Sequence, residues 1–246
     1  MPDIVSTGSA STGRVPSVFD YGSYAFLTGV QPVTELCLVR HGQQAIPGGQ
    51  GPFGDAIDPP LSEIGLRQAD LVGQRFANER VDAVYSSTLL RAYTTGSEIA
   101  RRHGLEPVRM ADLREVEVFR DIPPEMSVEQ YLGTPLFLGV RERMIFEKRW
   151  DVYPYSEASA EFRKRTVNAI EGIVATNEAK RVVIACHGGV INAYLAHHLG
   201  IDYDMFFRPA HTAVNVIRAG HNGVRSLHSL GDVHHLIGEG DDLLTY

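Results

Sequence analysis

Residues 35–44, ELCLVRHGQQ, decide the fold of this chain. The run 36–39 is apolar at every position, and Arg40, His41 and Gly42 follow it directly. A short apolar run without alternation is typical of a strand that is buried on both faces, as in the middle of a parallel sheet. Ligands of such sheets bind beyond the carboxyl ends of the strands. The stretch therefore predicts a central strand that delivers an arginine and a histidine to a binding site.

A second strand of this kind is predicted at 181–186, RVVIAC, and it ends in His187, Gly188 and Gly189. Helical segments separate the other predicted strands, and Ser62 is expected to cap one helix that runs to about Asn78. Its inner face is predicted to carry Leu66, Ala69, Val72 and Phe76. The segments 213–217 and 224–230 suggest a hairpin at a sheet edge. This alternation predicts an α/β fold with three α/β/α layers and a mostly parallel central sheet.

The domain organisation follows from breaks in this alternation. Residues 1–32 are predicted to form a flexible N-terminal tail and an arm, and 33–236 the main domain. The segment 116–155 has two helix-like pieces and seven aromatic residues, which predict an inserted, helical and aromatic-rich cap over the carboxyl ends of the strands. One or two of those aromatics are expected in the pocket. Residues 237–246 are predicted to form an acidic C-terminal tail, in which EGDD (239–242) is expected to be solvated.

The bulk composition narrows the possible partners. The 246 residues include 23 Lys and Arg against 30 Asp and Glu, a net charge of −7, which disfavours nucleic acid and an anionic membrane as partners. No apolar run is long enough to span a bilayer, and the N-terminus lacks the apolar core of a secretory signal, so a cytoplasmic location is expected. Cys37 and Cys186 lie in apolar runs and are expected to be buried, reduced thiols. The aromatic arm at 19–26 and a sheet edge would support a homodimer.

Two histidines and two arginines are predicted to converge at the ends of the strands. Arg91 begins the helix after the strand DAVYSS, and it would join Arg40, His41 and His187 if the strands are neighbours. Such a set suits a small phosphomonoester, because a guanidinium binds two oxygens at once and a neutral imidazole can attack phosphorus. Glycines such as Gly42 and Gly188 would let the backbone approach the ligand. His187, if cationic, would stabilise the transition state. These fixed cations would make a metal or other cofactor unnecessary.

Hydrolysis of an alkyl ester also needs a proton donor for the leaving group. A carboxylic acid with a raised pKa near the bridging oxygen would serve. Four acids lie where the chain enters the insertion, namely Asp112, Glu115, Glu117 and Asp121. Residue types alone do not choose among them.

The chain resembles the histidine phosphatase superfamily, which includes the phosphoglycerate mutases, and in particular its phosphatases. The resemblance covers about residues 36–230 and rests on LVRHGQ (38–43), DPPLSEIGLRQA (58–69), YSSTLLRAYTT (85–95), DLRE (112–115) and CHGGVINA (186–193). It implies that His41 is the phosphorylated nucleophile and Glu115 the proton donor, with Arg40, Gln43, Arg91 and His187 around the phosphate. Glu117 is two residues from Glu115 and, in an extended segment, would point the same way.

Two departures from the family pattern leave roles open. Members often continue with Thr or Ser and then a Trp-Asn pair whose Asn contacts the phosphate, whereas this chain reads Gln43-Gln44 and has no such pair. Gln44 is therefore one candidate for that contact. His211 lies in a turn before a predicted strand and could line the cleft, the alternative being a solvated loop histidine.

The sequence therefore predicts a metal-independent phosphatase that acts on a small phosphomonoester through a phosphohistidine. Two alternatives are a phosphoglycerate mutase-type phosphotransferase and an inactive module that binds phosphorylated ligands or proteins. A mutase would need further cations to seat a second anionic group. Arg114, Arg120, Arg141 and Arg143 are the candidates.

Overall fold

The fold was analysed in a computed structural model that describes residues 33–45, 52–220 and 223–246. The predicted tail and arm at 1–32 lie outside these residues. The strands are β1 (Val33–Arg40), β2 (Ala83–Ser87), β3 (Val108–Met110), β4 (Arg181–Cys186), β5 (Val214–Gly220) and β6 (Arg225–Asp232). The helices are α1 (Phe53–Ile57), α2 (Glu63–Phe76), α3 (Leu90–Ala100), α4 (Val128–Leu132), α5 (Thr134–Glu147), α6 (Ser159–Thr176) and α7 (Gly188–Leu199).

The six strands form one sheet in the order β3-β2-β4-β1-β5-β6. The first four strands in this order run parallel, and β5 is antiparallel to both of its neighbours, β1 and β6. Strands β5 and β6 form the predicted edge hairpin. The mostly parallel α/β sheet is therefore confirmed. In the register of β1 and β4, Arg40 lies opposite Cys186. The next residues, His41 and His187, consequently leave the sheet side by side.

Strand β1 is buried on both faces, as its continuous apolar run predicts. Leu36 and Leu38 pack with residues of α6 and α7 on one side of the sheet, while Cys37 and Val39 pack with α2 and α3 on the other. The three layers are thus confirmed. Both cysteines are buried free thiols. Burial raises the pKa of Cys37 to about 11 and that of Cys186 still further.

Helix α2 begins at the predicted cap, because the side chain of Ser62 accepts a hydrogen bond from the backbone N–H of Gly65. Ala69, Val72 and Phe76 face the core, but the prediction for Leu66 is wrong, since 51% of its surface is exposed. The reason lies one residue earlier. A Cβ on Gly65 would clash with the carbonyl of Gln43, so the helix backbone itself fills the inner face there.

The insertion at 116–155 contains α4 and α5. No helix among the described residues has the length and apolarity to cross a bilayer. Within the predicted acidic tail, Asp241 and Asp242 are exposed, but Leu243 is completely buried. Gln68 donates from its amide to the carbonyl of Leu243 at 2.7 Å and to the hydroxyl of Thr245 at 2.9 Å. The residues after EGDD are therefore packed on the domain, while 239–242 are exposed.

Candidate active site

His41 lies at the carboxyl end of β1, and one nitrogen of its imidazole ring carries no proton. Its Nδ1 lies 2.7 Å from the carbonyl oxygen of Gly42. Because a carbonyl only accepts, Nδ1 carries the proton and Nε2 keeps its lone pair. The ring is 4% exposed, and burial, reinforced by the positive charges nearby, lowers its pKa well below the usual value. His41 is therefore neutral, which is the state a nucleophilic imidazole requires.

The loop that holds this ring is fixed from two sides. The backbone N–H of Gly42 donates to the hydroxyl of Thr95 at 3.0 Å, and that hydroxyl donates to the carbonyl of Arg91 at 2.9 Å. A Cβ on Gly42 would clash with the carbonyl of Gly65, so only glycine allows this close approach. Thr95 therefore connects the histidine loop to helix α3.

Arg91 lies next to His41. Its Nε donates to His41 Nε2 at 3.3 Å, and only 7% of the residue is exposed. A guanidinium nitrogen also lies 3.8 Å from Asp58, whose carboxylate accepts the backbone N–H of Leu90 at 2.7 Å. Burial lowers the pKa of Arg91, but the side chain stays cationic at neutral pH. The geometry therefore places a fixed positive charge beside the atom that would attack.

Arg40 brings a second cation to the same place. It donates to the carbonyl of Pro209 at 2.5 Å, while its buried Nε has no hydrogen-bond partner in the part of the chain that the structure describes. Burial lowers its pKa to about 10, so it remains charged near neutrality. An unpartnered donor on a buried cation is costly unless a ligand satisfies it.

His187 is the strongest sign that the pocket is suited to an anion. Its ring centroid is 5.1 Å from that of His41, the residue is fully buried, and neither of its ring nitrogens has a hydrogen-bond partner among the described residues. Burial, followed by the charges of Arg91 and Arg40, lowers its pKa well below the usual value, so the imidazole is neutral. A bound phosphate would oppose both effects, because it offers a negative charge and acceptor oxygens. The predicted cationic role therefore requires the substrate to be present.

The loop after His187 adds backbone donors. Helix α7 begins at Gly188, and its N-cap residue, His187, makes no side-chain capping bond. Gly188 is next to Arg40, since a Cβ on it would lie 3.9 Å from Arg40 Nε. A helix N-terminus that begins with a glycine is well suited to hold oxygens of an anion.

Glu115 is the one of the four acids that reaches this loop. Its carboxylate accepts the N–H of Gly189 at 3.0 Å and that of Val116 at 3.1 Å. Burial raises its pKa despite these bonds and the nearby arginines. Glu117 instead lies 3.7 Å from Arg114 and 3.3 Å from Arg120, with 47% of its side chain exposed. Asp112 and Asp121 are exposed.

A residue larger than glycine would not fit beside Glu115. A Cβ on Gly189 would clash with the carboxylate and lie 3.2 Å from Trp150 Cζ2. Trp150 is thus the aromatic residue of the cap that comes near this acid. Glycine at 189 and the indole of Trp150 together confine the carboxyl group to one position.

His211 also lies next to His41. Its ring centroid is 5.7 Å from that of His41, and 5% of the residue is exposed. Its Nδ1 lies 2.8 Å from the hydroxyl of Thr245, and burial lowers its pKa to about 3. The solvated-loop alternative is therefore wrong. Gln43 is tied to α2 instead, since its side-chain oxygen accepts from Ser62 at 2.8 Å and its N–H donates to Gln68 at 2.8 Å. Gln44 pairs with Leu61 in an isolated β-bridge.

The site thus brings together His41, His187, His211, Arg40, Arg91 and Glu115. Sequence reasoning missed Gln68 and Thr245, which have no local signal because they act through contacts more than 30 residues away in the chain. In the described residues, no three His, Cys, Asp or Glu side chains are grouped so as to hold a metal ion. The arrangement can hold a phosphate between fixed cations, attack it with an imidazole and supply a proton.

Comparison with known sequences places this site in a family. The profile of the histidine phosphatase superfamily (branch 1) matches residues 36–232. Phosphoserine phosphatase 1 of Hydrogenobacter thermophilus is 29% identical over 71% of this chain and 81% of its own length. The metal-independent phosphoserine phosphatase of Arabidopsis thaliana is 30% identical over 65% and 67%, respectively. A probable phosphoglycerate mutase GpmB of Yersinia pestis is 28% identical over 68% and 75%.

Solved structures share the fold. Bacillus stearothermophilus YhfR superposes with a TM-score of 0.68 at 24% identity, covering 82% of this chain and 99% of the other. A phosphoserine phosphatase mutant of Entamoeba histolytica, in complex with phosphoserine, gives a TM-score of 0.65 at 22% identity, covering 83% and 100%. The sequence relatives support phosphatase activity. Since the family profile spans most of the sequence, the chain belongs to the histidine phosphatase superfamily, branch 1.

Proposed function

We propose that this protein is a metal-independent phosphatase that hydrolyses a small phosphomonoester through a phosphohistidine at His41. The observation that carries the proposal is the pairing of an unprotonated His41 Nε2 with two buried cations and a fully buried His187 that has no hydrogen-bond partner among the described residues. Buried polar groups without partners are costly, and a bound anion would offset that cost. Arg40, Arg91, His187 and the N-terminus of α7 would hold the three non-bridging oxygens.

In the first step Nε2 of His41 attacks phosphorus, and the bond from phosphorus to the ester oxygen breaks. Glu115, whose pKa is raised by burial, gives its proton to the departing alkoxide. In the second step the Glu115 carboxylate takes a proton from water, which attacks phosphorus and breaks the P–N bond. The electron pair returns to Nε2, and inorganic phosphate leaves. Fixed positive charges stabilise both transition states without reorganising.

The test is direct detection of the intermediate. Wild-type protein mixed with a ³²P-labelled phosphomonoester and quenched within milliseconds should carry label that is stable in alkali and lost in acid. His41→Ala should carry none and should lose turnover of p-nitrophenyl phosphate. His197→Ala is the matched control, because that histidine is exposed on α7. Equal turnover in the His41→Ala protein, or turnover abolished by EDTA and restored by a metal ion, contradicts the mechanism.

The mutase alternative receives less support from the charges. Its candidate cations Arg114 and Arg120 share the carboxylate of Glu117, and Arg143 is paired with Glu147 at 2.6 Å on helix α5. A second anionic group would have to displace these ion pairs. Interconversion of 2- and 3-phosphoglycerate after priming with bisphosphoglycerate would establish the mutase activity instead.

A further inference from the structure

A cavity of about 550 Å³ adjoins the phosphate site. Arg91 and Glu115 form part of its wall, so it begins where the leaving oxygen would receive its proton. Most of the remaining wall is hydrocarbon, contributed by Phe53, Ala56, Ile57, Leu89, Val116, Val118, Ile122 and Pro124. A cavity of this size lined mainly by apolar side chains is typical of a pocket for an organic ligand.

The two apolar walls come from different parts of the chain and are held together. The N–H groups of Phe53 and Gly54 donate to the carbonyls of Met126 and Pro124, each at 2.8 Å. A Cβ on Gly54 would lie only 3.0 Å from Pro124 Cβ, so helix α1 sits directly against the cap. The Phe53 ring also meets Phe119 edge-on with 6.1 Å between centroids. The cavity is therefore preformed, and a ligand that fills it loses little free energy to rearrangement.

Arg114, Glu117 and Arg120 of the wall form ion pairs with one another, although the buried Nε of Arg114 has no hydrogen-bond partner among the described residues. Glu117 shares its carboxylate between Arg114 at 3.7 Å and Arg120 at 3.3 Å. Arg120 also approaches Glu157 at 4.0 Å. A compact zwitterion such as phosphoserine would need one cation and one anion released from these pairs, and it would leave the hydrocarbon walls uncovered. An apolar group needs neither change.

We propose that this cavity binds the alcohol part of the substrate and that this part is an apolar alkyl or aryl group. The proposal rests on the proposed function, because the position of the leaving oxygen is taken from His41 and Glu115. The substrate class is thus a phosphomonoester with a hydrocarbon body, in contrast to small polar phosphometabolites. Val118 and Ile57, on opposite walls, are specificity-determining residues.

A homologous series of straight-chain alkyl phosphates from ethyl to hexyl tests the assignment. Their alcohols differ little in acidity, so the chemical step is nearly constant and the chain length reports burial. We expect kcat/KM to rise about two- to fourfold for each added methylene. Hexyl phosphate should exceed phosphoserine and 3-phosphoglycerate by at least about tenfold. A flat or falling series, or phosphoserine as the better substrate, overturns the proposal.

Variants of the wall make the test specific. Val118→Ser and Ile57→Ser should reduce the dependence of kcat/KM on chain length, because each replaces hydrocarbon of the cavity wall with a hydroxyl. Ile57 is 44% exposed, so its substitution does not threaten folding. Val108→Ser is the matched control, since Val108 is 53% exposed on β3 and lies outside the cavity wall. An unchanged slope in both wall variants counts against the proposal.

A binding measurement separates this proposal from the proposed function. Calorimetric titration of the His41→Ala protein with the same alkyl phosphates should show the Kd falling with chain length. If that trend holds but the wild-type protein hydrolyses no phosphate ester, the catalytic proposal fails and the cavity assignment stands. If p-nitrophenyl phosphate is hydrolysed but neither Kd nor kcat/KM depends on chain length, the cavity assignment fails alone.

Discussion

Replacing Glu115 by glutamine tests the proton donor without removing its shape. The N–H groups of Gly189 and Val116 bind different oxygens of the carboxylate, at 3.0 and 3.1 Å, so the amide oxygen of glutamine can still accept one of them. What it cannot do is release a proton. General acid catalysis contributes about 10²- to 10⁴-fold, so kcat for hexyl phosphate should fall by a factor in this range.

The leaving group determines which step of the Glu115→Gln reaction becomes slow. p-Nitrophenolate departs without a proton, so phosphorylation of His41 should be largely preserved with p-nitrophenyl phosphate. Attack of water still needs a base, so the phosphoenzyme should accumulate. Rapid mixing should therefore show a burst of p-nitrophenolate, close to one per site, followed by a slow steady state. With hexyl phosphate no burst of alcohol is expected.

The pH dependence carries the same information. Glu115 must be protonated to donate, so kcat/KM for hexyl phosphate should fall as pH rises through its raised pKa, and the Glu115→Gln protein should lack this decline. Because the folded pKa lies above the unfolded one, the contribution of Glu115 to stability is present at low pH and lost as pH rises through the folded value. The glutamine variant should thus keep or raise the Tm at neutral pH.

Glu117→Gln is the matched control. Its carboxylate is about half exposed and bound only in surface ion pairs, which contribute at most about 1 kcal/mol. Its kcat should stay within about fivefold of wild type. Equal losses in the rate of His41 phosphorylation by hexyl and p-nitrophenyl phosphate in the Glu115→Gln protein would refute the proton-donor assignment. So would a larger loss in the Glu117→Gln protein.

Three further outcomes are expected. Arg91→Lys should lower kcat/KM about 10²-fold or more in steady-state assays, because an ammonium cannot bind two oxygens at once as a guanidinium does. Arg101→Lys, at an exposed position, should leave kcat/KM unchanged, and equal kcat/KM values for the two variants would remove Arg91 from the phosphate site. Thr245→Val should lower kcat/KM about tenfold by releasing His211 and Gln68, with Thr176→Val as control; no change would show that the C-terminal contact does not position the site. Glu171→Gln should reduce the free energy of unfolding in urea by about 1–2 kcal/mol at pH 7. Hydrogen bonds from His198, Arg225 and Tyr194 outweigh the burial of Glu171 and lower its pKa to about 2, so the difference should shrink as pH falls from about 4.5 toward 2. A pH-independent difference would contradict this origin.

Local sequence patterns accounted for the framework of the site. The runs that end in His41 and His187 are apolar without alternation, and both are central parallel strands. Ser62 caps α2 as its position indicates. These predictions succeed because burial on both faces and helix capping depend on residues within one or two turns of chain. The prediction for Leu66 failed because the packing of Gly65 against Gln43, a tertiary contact, turned the side chain outward.

Other parts of the site were beyond any local pattern. Glu115 and Glu117 are two residues apart and have the same side chain, so the sequence does not distinguish them. The position of Gly189, 74 residues after Glu115, does. The C-terminal segment carries no periodic signal, although Gln68 reaches Leu243 across 175 residues. The apolar cavity likewise exists only where helix α1 meets the cap.

The sequence by itself thus determined the strands, their buried faces and the residue types that end them, because these follow from hydrophobic burial and hydrogen bonding along a short stretch. Tertiary structure alone decided the register that sets His41 beside His187, the acid that faces them and the hydrocarbon cavity next to them. Those features depend on which distant surfaces pack together. That choice is made by the free energy of the whole core and leaves no local trace in the chain.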